Sequence, residues 1–493
     1  MEFGSLIFLF LFLPVVIIVG NILKGRLKQV FLVVAGLFFY FFGMDGHIFV
    51  LIVSIFINWI FGVFISRNSD EKVSYRFALI GVTVNILILI FYKYSGFIIS
   101  NIESLVGTPI KFLHSLPPET FPIGISFFTF VAISYLVDIY RKKDLVFRNP
   151  LDVAFTLSFF PKVFSGPITF HNKFFYEVKG ESGRSLFEAG AKRFVYGLGK
   201  KVLIADTLAK CVNGIFEIPS GALTFELAWV GVLTFTLQIF MDFSGYTDMA
   251  VGLGKMLGYE IPENFNFPYI ATSIKDFWKR WHITLSNWLQ VYIFLPLAFR
   301  VMRNVKVNRK FGIKIENLAY YFASFITMFV CGLWHGAKWT FIIWGIFHGF
   351  FLILEHWKLG KFLKKKVRKP FRILYSLIII VLGWVIFRSV DISYAVAMFK
   401  SMGGFGGGDG SGYFISFYFT KEILIASIVA ITISFPVLKW IKMVLSDRIS
   451  GGVRSVVNIF SEVISLIFFA MVFLASIMAV TGGTYSPFIY FKF

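Results

Sequence analysis

The chain is predicted to be an all-α, polytopic integral membrane protein, on three observations. Hydrophobic residues make up 57% of its 493 residues and charged residues only 15%, whereas a soluble domain carries about 25% charged residues. Apolar runs recur along nearly the whole sequence, with 65 phenylalanines among them. The runs are long and continuous and lack the alternation of barrel strands, and helices and closed barrels are the two ways to satisfy a backbone in lipid. At about 20 residues per crossing, they provide roughly 11–13 segments that span or re-enter the bilayer. No internal repeat and no separable soluble domain stands out, so residues 1–493 read as a single membrane domain.

Lysine and arginine number 48 against 27 acidic residues, a net charge of +21. In a membrane chain, basic cytoplasmic loops and contact with anionic lipid account for that excess, and nucleic acid is not needed to explain it. Cys211 and Cys331 lie in or beside apolar segments and suggest neither a disulfide framework nor a metal site. No bound cofactor and no metal is expected.

The first apolar run, from about Leu6 to Gly20, lacks a preceding basic flank and a small-residue cleavage site. It reads as the first helix and not as a removed signal peptide. Lys24, Arg26 and Lys28 follow it, which places that end in the cytoplasm and the N-terminus outside. The runs Val30 to Phe42, onward to Ile65, and then through Tyr94 alternate across the membrane, with Arg67, Lys72 and Arg76 at the second inner turn. Residues 101–120, with Pro117-Pro118, read as an external loop, and Phe121 to Tyr140 returns to Arg141-Lys-Lys143.

The middle is less regular. Phe159-Phe-Pro-Lys-Val-Phe-Ser-Gly-Pro167 breaks an apolar run twice with proline. Such backbone survives at membrane depth only when buried in protein or lining a wet cavity. A basic Gly199-Lys-Lys201 precedes the run Leu223 to Phe243, in which Gln238 and Asp242 share one helix face. A carboxylate that deep needs a partner or water. A buried polar clamp between helices and direct contact with substrate both fit it.

An irregular loop, Gly258-Tyr-Glu-Ile-Pro-Glu-Asn264-Phe-Asn266-Phe-Pro-Tyr, leads to a helix read from Ser273 to Leu289. Ser273 is its N-cap, with Asp276 three residues on as acidic partner. Ile274, Phe277, Trp278, Trp281, Leu285 and Trp288 form its apolar stripe, and Lys275, Lys279, His282 and Ser286 form a polar one. That pattern predicts a helix lying at the interface.

A further span and the basic stretch Arg300 to Lys314 lead to the segment Phe329-Val-Cys-Gly-Leu-Trp-His335-Gly, read as a membrane helix that continues to about His356. An ionisable group within a span costs several kcal/mol and is a functional candidate by default. Histidine is also the side chain best suited to move a proton near neutral pH. His47, His114, His171 and His356 read as packing histidines, whereas His348 repeats the His-Gly pattern 13 residues on, but on one continuous helix it would face away from His335. Gly403 to Gly412 is a low-complexity external loop. It lacks the strand, lysine and helix of a phosphate-binding loop. Two last spans, about Ile423 to Met443 and Val456 to Val480, precede an aromatic tail containing Tyr490.

Taken together, Gly332-Leu-Trp-His-Gly and Asp276-Phe-Trp-Lys-Arg-Trp-His-Ile-Thr-Leu-Ser resemble the membrane-bound O-acyltransferases, the MBOAT family. Four more segments resemble its bacterial branch, similar to the alginate O-acetyltransferase membrane subunit. They are Phe121-Pro-Ile-Gly-Ile-Ser-Phe-Phe-Thr-Phe, Phe160-Pro-Lys-Val-Phe-Ser-Gly-Pro-Ile, Met241-Asp-Phe-Ser-Gly-Tyr-Thr-Asp and Pro262-Glu-Asn-Phe-Asn-Phe-Pro-Tyr. The resemblance covers nearly the whole chain in order. It implies helices, some re-entrant or interfacial, around a central tunnel, with His335 as the essential histidine and His282 at the second family position. The donor it implies is acetyl-CoA, entering from the cytoplasm of a bacterial plasma-membrane protein, and the final acceptor an envelope polysaccharide. An extracytoplasmic SGNH or serine-hydrolase-like transferase is the partner it implies.

Acyl transfer to a hydroxyl needs a base, an oxyanion stabiliser and aligned substrates. The expected roles follow. His335 is the base. His282, or polar groups near Asn264 and Asn266, orients the donor or steadies the oxyanion. Lys279 and Arg280 hold the donor phosphates. Trp278, Trp281, Trp334 and Asp242 complete the donor-binding or tunnel set. Tyr490 either carries the acyl group as a phenolic ester or sits in an interfacial belt. Two other classes, a polysaccharide transporter and a non-catalytic subunit, predict repeated topology and dispensable His335 respectively. Within the enzyme class, D-alanyl transfer to a wall polymer is the alternative.

Overall fold

The computed structural model describes residues 1–43, 47–110, 121–170, 183–305, 309–310, 312–406, 412–437, 452–483 and 486–489. His114, His171, Tyr490 and half of the Gly403 to Gly412 loop lie outside the described residues. The protein is all-α and multi-pass. Among the described residues the strands are confined to one hairpin, Arg309–Lys310 paired with Ile313–Lys314. Eight helices among the described residues are long and apolar enough to cross a membrane: Gly25–Gly43, Ile48–Arg67, Glu71–Val106, Phe225–Met256, Ile315–His335, Trp339–Lys366, Lys369–Arg388 and Ser461–Thr481. A shorter apolar helix, Phe8–Ile22, opens the chain.

The chain forms two compact units, one of Met1–Phe194 with Thr247–Pro262, the other of Val195–Tyr246 with the described residues from Glu263 onward. In the first, helices pack on small residues and on paired amides. Asn58 and Asn85, both buried, each donate an amide N–H to the other's carbonyl oxygen, at 3.1 and 2.9 Å. Two partnered amides avoid the desolvation cost that either would carry alone. The segment around the two prolines, Phe159 to Thr169, is buried throughout, and the Lys162 ammonium donates to the Thr169 hydroxyl at 2.6 Å. Irregular backbone there is enclosed by protein, as its sequence requires. Gly190 and Gly252 let two helices touch backbone to backbone, and Arg193 pairs with Asp248 at 2.7 Å beside them. Residues 101–106, read as loop from sequence, continue the helix that begins at Glu71 and ends on Gly107 in the left-handed region.

The second unit holds the elements that bear His282, His335 and His348. The Lys369–Arg388 helix packs on Trp339–Leu354, which in turn packs on Ile315–His335. The Ile274–Trp278 helix contacts both Trp339–Leu354 and Lys369–Arg388.

Candidate active site

His335 is the last residue of its helix, and Gly336 leaves it in extended backbone. The chain then returns as Trp339–Leu354, so the reading of one continuous helix is corrected to a helical hairpin. A Cβ on Gly332 would stand 2.3 Å from the Phe341 carbonyl oxygen, and one on Gly345 would stand 2.2 Å from that of Met328. These pairs run in opposite order, so the two helices are antiparallel and meet on glycine backbone. The His335 ring is held edge-on by Trp344 at 5.0 Å, Trp334 at 5.1 Å and Phe387 at 5.4 Å. Aromatic edges and faces fix its orientation and keep water away.

His282 reaches the same neighbourhood from another segment. Its ring centroid lies 5.7 Å from Trp334 and 4.7 Å from Phe243. Trp334 therefore adjoins both histidine rings. The single helix expected over 273–289 is two short helices, Ile274–Trp278 and Ile283–Leu289. The reason lies in the preceding loop. The Asn266 N–H donates to the Arg280 carbonyl at 2.9 Å, and the Ile283 N–H donates to the Asn264 carbonyl at 3.0 Å, in place of bonds within a helix. His282 takes φ +43 at the break and is 0% exposed, so it does not share a solvated stripe with Lys275 and Lys279. Left-handed backbone at a non-glycine residue is held only where its surroundings over-determine it.

The hydrogen bonds around Asn264 fix the His282 tautomer. Asn264 Oδ1 accepts from the Thr284 backbone N–H at 3.1 Å and from the Thr284 hydroxyl at 2.9 Å. A backbone N–H can only donate, so this atom is the amide oxygen. His282 Nδ1 lies 3.2 Å from the same oxygen and must carry the proton it donates. Nε2 is then the ring's acceptor nitrogen. Burial pushes the His282 pKa down to about 3, so the ring is neutral.

The N-terminal end of the Ile274–Trp278 helix is fixed twice. Ser273 Oγ accepts from the Asp276 N–H at 3.0 Å, and an Asp276 carboxylate oxygen accepts from the Thr272 N–H at 3.0 Å, the cap expected from sequence. The Glu355 carboxylate accepts from the N–H groups of Ile274 and Lys275, at 2.6 and 3.1 Å. These contacts set Trp278, which is buried with its ring 5.8 Å from Trp344 and 5.5 Å from His348. Trp344 is also 5.0 Å from His348. His348 thus lies one ring away from His335, contrary to the wheel argument, because the turn at Gly336 resets the helix phase. Trp281 is buried against Phe265 and Trp384, each at 5.0 Å.

The other expected site residues separate. Asn264 is buried at His282, whereas Asn266 is exposed and is tied through its backbone to Arg280. Lys279 is exposed, and Arg280 donates to Asp276 at 2.8 Å. Asp242 lies in a charged cluster that sequence did not assemble. Lys201, read as part of a basic stretch, is 1% exposed, with its ammonium 2.7 Å from Asp206 and 3.0 Å from Asp242. Gly245 permits this, since a Cβ there would meet the Gly197 carbonyl oxygen at 2.8 Å. Burial pushes the Asp206 carboxyl up to about 7, against the pull of Lys201. Trp344, Phe387 and Lys201 were not singled out from sequence, and His348 was set aside as facing away from His335. The four-residue spacing of Trp344 and His348 was the available signal.

Two buried histidine rings against one tryptophan, in an aromatic enclosure, suit proton transfer without water. Among the described residues, no three His, Cys, Asp or Glu side chains gather as a metal site.

Residues 149–396 match the family model described as MBOAT, membrane-bound O-acyltransferase family. That stretch contains both histidines and the whole aromatic enclosure. The chain is 35% identical over 412 residues to the Probable alginate O-acetylase AlgI of Pseudomonas aeruginosa, covering 82% of this chain and 75% of the relative. It is 33% identical over 441 residues to a peptidoglycan O-acetyltransferase of Helicobacter pylori, covering 82% and 80%. It is 30% identical over 235 residues to a teichoic acid D-alanyltransferase of Bacillus subtilis, covering 46% and 56%.

Proposed function

The chain belongs to the membrane-bound O-acyltransferase family and is an O-acyltransferase, and from that premise we propose that it moves an acetyl group from cytoplasmic acetyl-CoA toward hydroxyls of a cell-envelope polysaccharide. The observation that carries the reading is the enclosed pair of histidines flanking Trp334, inside the part of the chain that matches the family. Both full-size relatives above act, by name, as O-acetylating enzymes.

In this reading His335 is the general base. It takes the proton of the attacking hydroxyl as oxygen bonds to the thioester carbonyl carbon. The tetrahedral intermediate collapses, the carbon–sulfur bond breaks, and the imidazolium returns its proton to the departing thiolate. His282, with Nδ1 donating to Asn264, offers an Nε2 lone pair and so accepts a hydrogen bond. That favours orienting a hydroxyl or thiol over donating to an oxyanion. Trp278, Trp281 and Trp334 supply the walls. The exposed Lys279, with Arg280, meets the donor's phosphates, and Asn266 lies on the rim beside them. No cofactor beyond the acyl donor is invoked.

Residues 1–493 act as one membrane domain in a bacterial plasma membrane, with the N-terminus outside, a placement supported by Lys24, Arg26 and Lys28 after the first helix. Donor and final acceptor then lie on opposite sides. Tyr490 as an acyl relay, and an extracytoplasmic SGNH-type transferase as partner, would complete the route. D-alanyl transfer is the second reading, favoured by the likeness to the Bacillus subtilis enzyme.

The test uses sealed vesicles of both orientations and acetyl-labelled coenzyme A, which does not cross the bilayer. Label should enter base-labile esters only in inverted vesicles, and only with His335 present. Label entering equally with right-side-out vesicles would overturn the donor side. Transfer only from a D-alanyl carrier protein would select the second reading.

A further inference from the structure

We propose that the buried Lys201–Asp206–Asp242 cluster is a built dock for the chain's own C-terminal segment, whose residues 486–489 it positions one ring, Phe243, away from His282. Each carboxylate divides its two oxygens in the same way. Asp206 Oδ1 meets the Lys201 ammonium at 2.7 Å, and Oδ2 accepts from the Ser486 N–H at 3.3 Å. Asp242 Oδ1 meets the same ammonium at 3.0 Å, and Oδ2 accepts from the Ile489 N–H at 3.0 Å.

Burial of ions is the reason to read this as a device. Burying a charge carries a large desolvation penalty, and it is offset only where the remaining lone pairs are satisfied. Two carboxylates face one ammonium here, so the pairing alone leaves acceptors over. The tail supplies the missing donors from its main chain, three residues apart, on either side of Pro487, which has no N–H to offer. Between those two anchors Phe488 is buried, stacked on Tyr246 at 4.5 Å and 5.6 Å from Phe243. Phe243 is the ring that stands edge-on to His282. Asp242, Phe243 and Tyr246 share one helix, so charge anchor, ring contact and histidine wall are a single rigid element. A backbone dock of this kind holds position and register independently of the side chains it carries. Asp206, Asp242 and Lys201 are thus positioning residues. The dock holds the tail whichever group the enzyme transfers, and rests on the acyl-transfer reading only for its use.

The test is thiol labelling of the full-length protein in its membrane, with Phe488→Cys as reporter and the native Cys331 as internal reference. Cys331 is buried in the His335 helix. With the dock intact, maleimide should label position 488 slowly. In the Asp206→Asn, Asp242→Asn pair, labelling at 488 should quicken about ten-fold or more, as a locally opened segment does, while Cys331 stays protected. Restoring the acids as glutamates should slow it again. The proposal fails if position 488 labels at the same rate in both, or if Cys331 is unmasked in step with it, which would mean the acids hold the fold and not the tail. Neither outcome depends on which acyl group is transferred, so failure here is distinct from failure of the functional reading.

Discussion

At the scale of single residues, His282 is a neutral ring with a fixed tautomer, and Asn264 is the residue that fixes it. This carries a pH consequence. Burial holds the folded pKa of His282 at about 3, whereas an unfolded histidine titrates near 6.5. The unfolded chain therefore binds a proton that the folded chain refuses. The associated stability is complete above about pH 6.5 and is lost as pH falls from there toward the folded value. In detergent, the melting midpoint should drop between about pH 7.5 and about pH 5, and His282→Gln should flatten part of that drop. Identical slopes in the two proteins would contradict a buried neutral His282. The sequence marked His282 and Asn264 as polar groups in an aromatic setting, which is legible from composition alone. That Asn264 and not Asn266 meets the ring was not legible, because it depends on backbone pairing of the 264–266 loop with residues 280–283.

At the scale of elements, the helical hairpin Ile315–His335 with Trp339–Leu354 places His335, and its closeness depends on Gly332 and Gly345. Gly345→Leu would drive a side chain into the Met328 carbonyl, at a cost of about 1–3 kcal/mol for overpacking. The protein should still insert, while transfer falls about ten-fold or more as the rings around His335 separate. Gly96→Leu, where a Cβ meets nothing within 4 Å, should leave transfer unchanged. Equal activity in the two would remove the hairpin from the account. Long apolar runs and the Ser273–Asp276 cap were readable, because each is a local pattern. The break at Lys279–His282 and the turn at Gly336 were not. The break is tied to the 264–266 loop and the turn to the hairpin contacts of Gly332 and Gly345, and a helical wheel assumes both are absent. His348 was misplaced for that reason, and Lys201 was read only as part of a basic stretch because its two acids lie 5 and 41 residues away.

At the scale of the whole molecule, composition and hydropathy determine the class, since lipid admits few solutions for a backbone with this many apolar runs. Family membership then assigns O-acyl transfer, and the second unit gathers the two histidines, their aromatic walls and the docked tail. What ties these together is the claim that His335 performs the transfer. The most direct measurement is acetate released by mild base from fractionated envelope polymers. Cells would carry the native protein, His335→Ala at matched membrane abundance, or no protein. The account predicts that one polymer fraction loses its acetate to the same extent in the His335→Ala and deletion strains, a fall of about a hundred-fold or more for loss of a general base. Acetate retained in His335→Ala cells but lost in the deletion strain would contradict it.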